Sequence, residues 1–404
     1  MSREGRKMKL TRPIIIAGAG IGGLTTALVL HSYGIDSLVL ESAEELQPIG
    51  VGINIQPSAV GILFRLGFEK ELKTIGIPTA RHQYIDDKGK IKFVENRGIL
   101  GGNEFPQYSV HRGELQMMLL KAVEDRLGRS AIAIGDRVNR FGVRDDFIEV
   151  NSSKTTYLGS ALIGADGFKS VIRQILHPGD SAFYYSGVAM WRGVTEIDSF
   201  LDGKTMLLAN DRRGTRVIAY PISSRYQEKG KELLNWVCLV PNSKIRRRWN
   251  VMVSPAEVIP FIKDWSIDYF DVNQIVKESS KILYYPMVDR NPLISWGEGL
   301  VTLLGDAAHP MFPIGANGAS QAIIDAESIG YHISRNANDL VRAFSKYENQ
   351  RRPATTQIVE ANRAMDNGER DIAASRSMAE NLGESIAEIT AEYRKIVDLN
   401  SGRR

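Results

Sequence analysis

An apolar, β-branched run, Pro13 to Ala17, passes directly into Gly18-Ala19-Gly20-Ile21-Gly22-Gly23. Leu24, Ala27, Leu28 and His31 then recur at helical spacing, with Gly34 as a C-cap. Strand, glycine turn and helix in this order open a parallel α/β unit and constrain the chain more than any other feature. Gly18 permits the tight turn, Gly20 lets backbone approach a pyrophosphate, and Gly23 lets helix and strand pack closely. The free amides and dipole of the helix start then hold the anion. A second strand, Ser37 to Leu40, ends in Glu41, 21 residues after Gly20. A carboxylate there accepts hydrogen bonds from ribose hydroxyls and repels a 2′-phosphate. The pattern predicts an adenine dinucleotide without separating NAD from FAD; its bland alternative is a tight βα connection that binds nothing.

Two later segments repeat the theme of an acidic residue at a strand's carboxyl end. Ser160 to Ile163 reads as a strand running into Gly164-Ala165-Asp166-Gly167, with Val171, Ile172 and Arg173 on the helix behind it. Leu300 to Leu304 runs into Gly305-Asp306-Ala307-Ala308-His309-Pro310. Phe312 to Ala322 follows and opens a helix through Ile323, Ile324, Ala326 and Ile329. Ligands lie at such strand ends in open α/β sheets. Asp306 can accept hydrogen bonds from a sugar-alcohol chain such as the ribityl of FAD. The amides of Asn317, Gly318 and Ala319 begin a helix whose N-terminus favours an anion by roughly 0.3–1 kcal/mol. Taken singly, Asp166-Gly167 also reads as a plain turn, Asp306 as a helix N-cap and His309 as a shaper of the turn before Pro310.

Taken together, in this order and separation, the three motifs resemble the single-component FAD-dependent aromatic hydroxylases, the para-hydroxybenzoate hydroxylase family, over nearly the whole chain. The resemblance implies an α/β fold: a Rossmann-like FAD-binding domain (1–78, 109–178 and 298–350), an inserted mixed β-sheet substrate domain (79–108 and 179–297) and a C-terminal helical segment (351–404). It implies tightly but non-covalently bound FAD, with NADH or NADPH as co-substrate and O₂. The family's fingerprint falls on Gly18 to Gly23, its Asp-Gly motif on Asp166-Gly167 and its Gly-Asp motif on Gly305-Asp306. An arginine set against the ribityl and phosphates falls on Arg112, within His111-Arg112-Gly113-Glu114-Leu115. Gly22, Glu41, Ser42, Val51, Gly52, Val138 and Gly315 are further cofactor-side positions. The chain departs from its relatives before the last helix, where many read Gly-Gln-Gly-x-Asn-Gln-Ala-x-Glu-Asp-Ala. Here Asn317, Ser320 and Ile324 stand at the Gln, Asn and Glu positions, so the amide cradle is kept and the side-chain contacts change. Several segments, among them Gly50 to Pro57, Pro106 to Met117, Met190 to Glu196 and Tyr285 to Arg290, resemble the family branch acting on 5-methylphenazine-1-carboxylate. That branch is NADH-dependent and adds a hydroxyl while expelling carboxylate, which favours NADH over NADPH here.

The intervening sequence predicts a β-rich second domain. Arg81 to Val94 alternates around an Asp86-Asp87-Lys88-Gly89 turn, a hairpin signal. Strand-like runs follow at 187–196, 204–209, 215–222 and 233–240, then amphipathic helices between Ala256 and Lys277 and a helical C-terminus from Val341. Substrate-side candidates are Trp191, Met206, Tyr220 and Trp236 on an inner sheet face, with Ile53 and Asn54 from the flavin side; each also reads as ordinary sheet core. Arg192 is expected to face solvent, with an aromatic carboxylate as the other possibility. Cys238 reads as a small buried hydrophobe. The sequence identifies no general base, and the chemistry needs none if the substrate ring is already electron-rich.

The implied activity is hydroxylation of a planar aromatic or heteroaromatic substrate, a phenazine-like carboxylate included, through a flavin C4a-hydroperoxide, with or without decarboxylation. The cofactor does the hard chemistry while the protein orients, excludes water and tunes charge. Alternatives are an FAD-dependent reductase or dehydrogenase without oxygen insertion and a non-catalytic flavin sensor. The 404 residues carry 51 basic and 47 acidic side chains, too balanced for nucleic acid. The single cysteine excludes an internal disulfide and suits a cytoplasmic setting. Six scattered histidines show no ligand spacing, so no metal is expected. No apolar run reaches the ~18 residues of a membrane span. The basic Met1 to Arg12 reads as a solvated lead-in rather than a signal. The partner is then a small aromatic molecule, and the chain a monomer or homodimer.

Overall fold

The computed structural model describes residues 10–48, 50–180, 182–242, 249–374 and 382–400. Its nucleotide sheet has five parallel strands in the order Val301–Leu303, Ala161–Gly164, Ile14–Ala17, Ser37–Glu41 and Ile132–Ile134. Ile14–Ala17 is buried throughout, as is Ala161–Gly164, which explains their continuous apolar character. From Ile14–Ala17 the chain moves through the helix Ile21–Ser32 to Ser37–Glu41 on one side. It later returns to Ala161–Gly164 on the other side. That reversal is a topological switch point, the place where such sheets bind ligands beyond their carboxyl ends.

A second sheet of eight strands is mixed. Its order is Val251–Val253, Ile282–Asp289, Tyr184–Ile197, Glu232–Pro241, Arg216–Pro221, Thr205–Asn210, Arg81–Asp86 and Ile91–Asn96. The hairpin Arg81–Asp86/Ile91–Asn96 joins by parallel pairing of Arg81–Asp86 with Thr205–Asn210, so two separate excursions of the chain share one sheet. The strand Ile282–Asp289 had no counterpart among the sequence expectations, and neither did the antiparallel meander Val138–Val143, Ile148–Ser152, Thr156–Gly159. A small sheet of Gly52–Ile55, Gln107–His111 and Gly76–Thr79 links the two large ones.

Both faces of the eight-stranded sheet are covered. On one face, Ala189, Trp191, Trp236 and Cys238 pack with Val258, Ile262 and Val276 from the short helical segments between Pro255 and Lys277. On the other, Val188, Met190, Val237 and Leu239 pack with Ile358, Met365 and Tyr393. The last three come from the C-terminal helices Leu340–Ala374 and Leu382–Asn400. This helical pair runs from the nucleotide sheet, where Tyr347 donates to Leu303 O at 3.1 Å, to the eight-stranded sheet, where Ile386 meets Tyr84.

Candidate active site

The three strand tips meet in one row. Ala17 pairs with Gly164, and Gly164 with Leu303, so the fingerprint turn, Asp166 and Asp306 all leave the sheet at one level. Gly18 adopts φ +104°, and a methyl there would lie 2.5 Å from Ala165 O, so only glycine lets the first two tips touch. No side chain caps the helix beginning at Ile21, and nothing lies within 4 Å of a methyl placed on Gly20, which leaves its amides open to an anion. Glu41 accepts from the amides of Ala19 and Ala43, both at 2.7 Å, and from Ser42 Oγ at 3.1 Å. Gln116, absent from the sequence candidates, donates to Ala19 O at 2.8 Å and steadies the turn from the helix Arg112–Leu127.

Asp166 is tied into its own turn. It accepts from the amides of Val171 (2.7 Å) and Ile172 (3.3 Å) and from Ser170 Oγ. Burial raises its carboxyl above the ordinary carboxylate range against these bonds. Asp306 instead opens to the cleft beside Gly318. The surrounding walls desolvate it and raise its pKa, opposed by His309 and Arg112. Arg112, at the exposed start of its helix, therefore lends positive charge to the same cleft. An acceptor beside a cation, helix amides without caps and a glycine-lined floor fit the ribityl, pyrophosphate and isoalloxazine of a flavin dinucleotide. Val51 O receives the Arg112 amide at 3.1 Å, and Val138 packs into the nucleotide core. Gly52 donates to Asn235 Oδ1 at 2.7 Å, in contact with the eight-stranded sheet.

Beneath the Gly305-Asp306 turn lies a buried ionic group that local sequence patterns do not announce. Asp325 accepts from His309 Nε2 (2.5 Å), Arg351 Nε (2.8 Å) and the Gly305 amide (3.2 Å). Burial alone would raise Asp325; His309 and Arg351 outweigh it and hold the carboxyl below the usual range. The turn-shaping role expected of His309 therefore has a partner, Asp325.

A cavity opens between the eight-stranded sheet, the loop Pro313–Ala316 and the C-terminal helices. Asn54, Met206 and Tyr220 line it. Trp191 and Trp236 do not: they point to the opposite face, where Trp236 Nε1 donates to Ser279 Oγ at 2.7 Å and Trp191 packs on Tyr284 and Phe261. Their places on the cavity face are taken by Met190, Val237 and Leu239, one residue out of phase. Ile53 likewise turns to the nucleotide core while its neighbour Asn54 faces the cavity. Arg192 is not a solvent-facing side chain; it lines the cavity and donates to Gly52 O at 2.8 Å. Its Nε is buried without a partner, and its guanidinium and Asn54 both hydrogen-bond Tyr220. Burial keeps the Tyr220 phenol above its ordinary pKa despite these two neighbours. Sequence patterns also missed His82 and Arg216 in the lining, the latter held by Asp366 (2.6 Å) and Glu369.

The sequence profile of the FAD binding domain family matches residues 11–362. The chain belongs to this family, among its FAD-dependent aromatic hydroxylases. It is 48% identical to the phenazine 1,6-dicarboxylic acid hydroxylase PhzS of Lysobacter antibioticus, over 95% of this chain and 97% of that protein. It is 30% identical to a 3-hydroxybenzoate 6-hydroxylase of Polaromonas naphthalenivorans, over 87% of each. Among solved structures, Klebsiella pneumoniae HpxO complexed with FAD and uric acid superposes with a TM-score of 0.79 at 25% identity, covering 97% of both chains. A salicylate hydroxylase substrate complex shares the fold, with a TM-score of 0.77 at 18% identity. Among the described residues no helix is long and apolar enough to cross a membrane, and no group of acidic, histidine or cysteine side chains could hold a metal.

Proposed function

We propose that this FAD-dependent hydroxylase acts on a planar heteroaromatic acid of the phenazine carboxylate type, with NADH or NADPH as electron donor. The observation that carries the reading is the cavity's polarity: aliphatic and methionine side chains form much of the wall, Arg216 is paired with Asp366 and Glu369, and Arg192, Tyr220 and Asn54 gather at one place. A fused-ring acid needs that combination, an apolar slot for the rings and a fixed cation for the carboxylate.

FAD supplies the redox chemistry, accepting hydride and activating O₂. The protein's own tasks are then binding, orientation and exclusion of water. Arg192 is anchored by Gly52 O, so its remaining donors are pre-oriented toward a carboxylate. Tyr220 stays protonated across the neutral range and acts as a hydrogen-bond donor or acceptor toward a ring substituent. Met190, Met206 and Ile218 cover the flat faces of the ring system. Pro313, Ile314, Gly315 and Ala316 line the cavity immediately before the helix start at Gly318, whose amides would hold the flavin, so a ring bound in the cavity would sit beside that loop. The C-terminal helices close the far side with Met365 and Ile386 and keep bulk water out.

The test is turnover of phenazine carboxylates, N-methylated ones included, with NADH under ¹⁸O₂. One ¹⁸O atom in the product supports the reading, and product mass separates retention from loss of the carboxylate. Substrate-stimulated NADH consumption with an unlabelled, merely reduced product overturns it in favour of a reductase.

A further inference from the structure

The C-terminal helix Leu382–Asn400 reaches the Gly315–Asn317 loop with the side chain of Tyr393. Tyr393, buried on Leu382–Asn400, places its hydroxyl between Asn317 and Asn362, and within 3.5 Å of Ile314 O. It presses on Gly315 so closely that a methyl at that position would overlap the phenol. The loop beneath it is unusual. Gly315 has φ +68° and Ala316 φ +54°, two successive residues in the left-handed region, and for alanine that conformation costs about 1–2 kcal/mol. Such a backbone persists only where its surroundings over-determine it.

Counting protons fixes the direction of the hydrogen bonds. Asn362 Nδ2 donates to Phe312 O at 3.3 Å, which leaves Asn362 Oδ1 facing Tyr393 at 2.7 Å. The single phenolic proton therefore goes to Asn362, and the Tyr393 oxygen must accept from Asn317 Nδ2. Asn317 Oδ1 is consequently turned away from Tyr393. It is buried and has no protein partner. An orphaned buried acceptor costs about 1–3 kcal/mol, so this amide is held ready for a donor the chain does not supply. The isoalloxazine edge of FAD carries an N–H beside two carbonyls.

From this geometry we infer that Tyr393 is a positioning residue for the cofactor: it sets the Asn317 amide and the left-handed Gly315-Ala316 turn against the flavin. The C-terminal helix is thereby part of the FAD site. The inference is independent of which substrate is hydroxylated.

Tyr393→Phe removes the hydroxyl and keeps the ring. In the full chain, the FAD dissociation constant is expected to rise about tenfold, equivalent to roughly 1.4 kcal/mol, and the visible flavin bands of the holoprotein to shift. With Asn317→Ala also present, the double variant should bind FAD no worse than Asn317→Ala alone. A Tyr393→Phe protein with wild-type FAD affinity and spectrum, altered only in melting temperature, overturns the inference and leaves Tyr393 a helix anchor. Hydrogen exchange on the unmodified chain gives an answer even where the variant does not fold. FAD must slow exchange in residues 386–400, and equal exchange with and without FAD contradicts the proposal.

Discussion

The guanidinium of Arg173 donates to the main-chain oxygen of Ala308 at 2.8 Å, and to that of Ala307 at 3.0 Å. It thereby fastens the helix that follows Asp166 to the turn that carries Asp306. Asp180 accepts from its Nε at 2.5 Å and balances the buried charge. Replacing one partner of such a pair typically costs 3–5 kcal/mol. Arg173→Met is expected to lower the melting temperature by on the order of 10 °C and to weaken FAD binding. Differential scanning calorimetry with and without added FAD checks both. Unchanged FAD affinity in the variant would show that the two tips need no tie.

Gly18 and Gly20 should fail in different ways. At Gly18 a methyl meets Ala165 O at φ +104°, so Gly18→Ala lowers stability of the apoprotein itself. At Gly20 the space is open in the protein, and the methyl obstructs only a bound pyrophosphate. Gly20→Ala should melt like the wild type without cofactor and bind FAD about tenfold more weakly. Thermal melts paired with fluorescence titration distinguish the two variants; equal behaviour contradicts their assigned roles.

The nucleotide half was legible because its signals are local. A doubly buried strand must be an unbroken apolar run, and a pyrophosphate turn must be glycine; Ile14–Ala17 and Gly18–Gly23 declare both within ten residues. The cavity wall was legible only in part. Trp191 and Trp236 were assigned to the same face as Met206 and Tyr220, yet Trp236 pairs with Gly193 and Ala219, whereas Tyr220 pairs with Asn235. In a sheet exposed on one side, polarity reveals which parity faces inward. Here helices cover one face and the cavity with its helical wall covers the other, so both parities are apolar and alternation carries no sign. Asp325, Arg351 and Tyr393 were invisible for another reason: their partners lie 16 to 76 residues away.

Two arginines line the cavity; Arg216 is paired with Asp366 and Glu369, whereas Arg192 is held by Gly52 O and keeps a buried Nε without a partner. A charge-assisted hydrogen bond contributes about 1.5–3 kcal/mol, so Arg192→Gln should raise the dissociation constant for a phenazine carboxylate by roughly 10- to 150-fold. Affinity for the corresponding carboxamide should change far less. Equal losses for acid and amide would remove Arg192 from carboxylate recognition.

His82 faces the cavity, and burial, with Arg97 and Arg394 nearby, holds its imidazole well below the ordinary histidine value. Its folded pKa lies below its unfolded value near 6.5, so the unfolded chain binds the proton first on acidification. The stabilisation is complete above about pH 6.5 and falls below it by up to about 1.4 kcal/mol per pH unit. Urea titrations between pH 7.5 and 5 should show a shallower decline for His82→Gln than for the wild type. Identical slopes would mean that His82 titrates freely.

The central claim is that three strand tips in one register row hold a single flavin, with Asp306 on its sugar-alcohol chain. Spectroscopic titration of the apoprotein with FAD tests it most directly. The account predicts one FAD per chain, and for Asp306→Ala an affinity loss of about tenfold or more with little change in apoprotein melting. Failure to take up FAD, or an Asp306→Ala protein that binds it as the wild type does, would contradict the account.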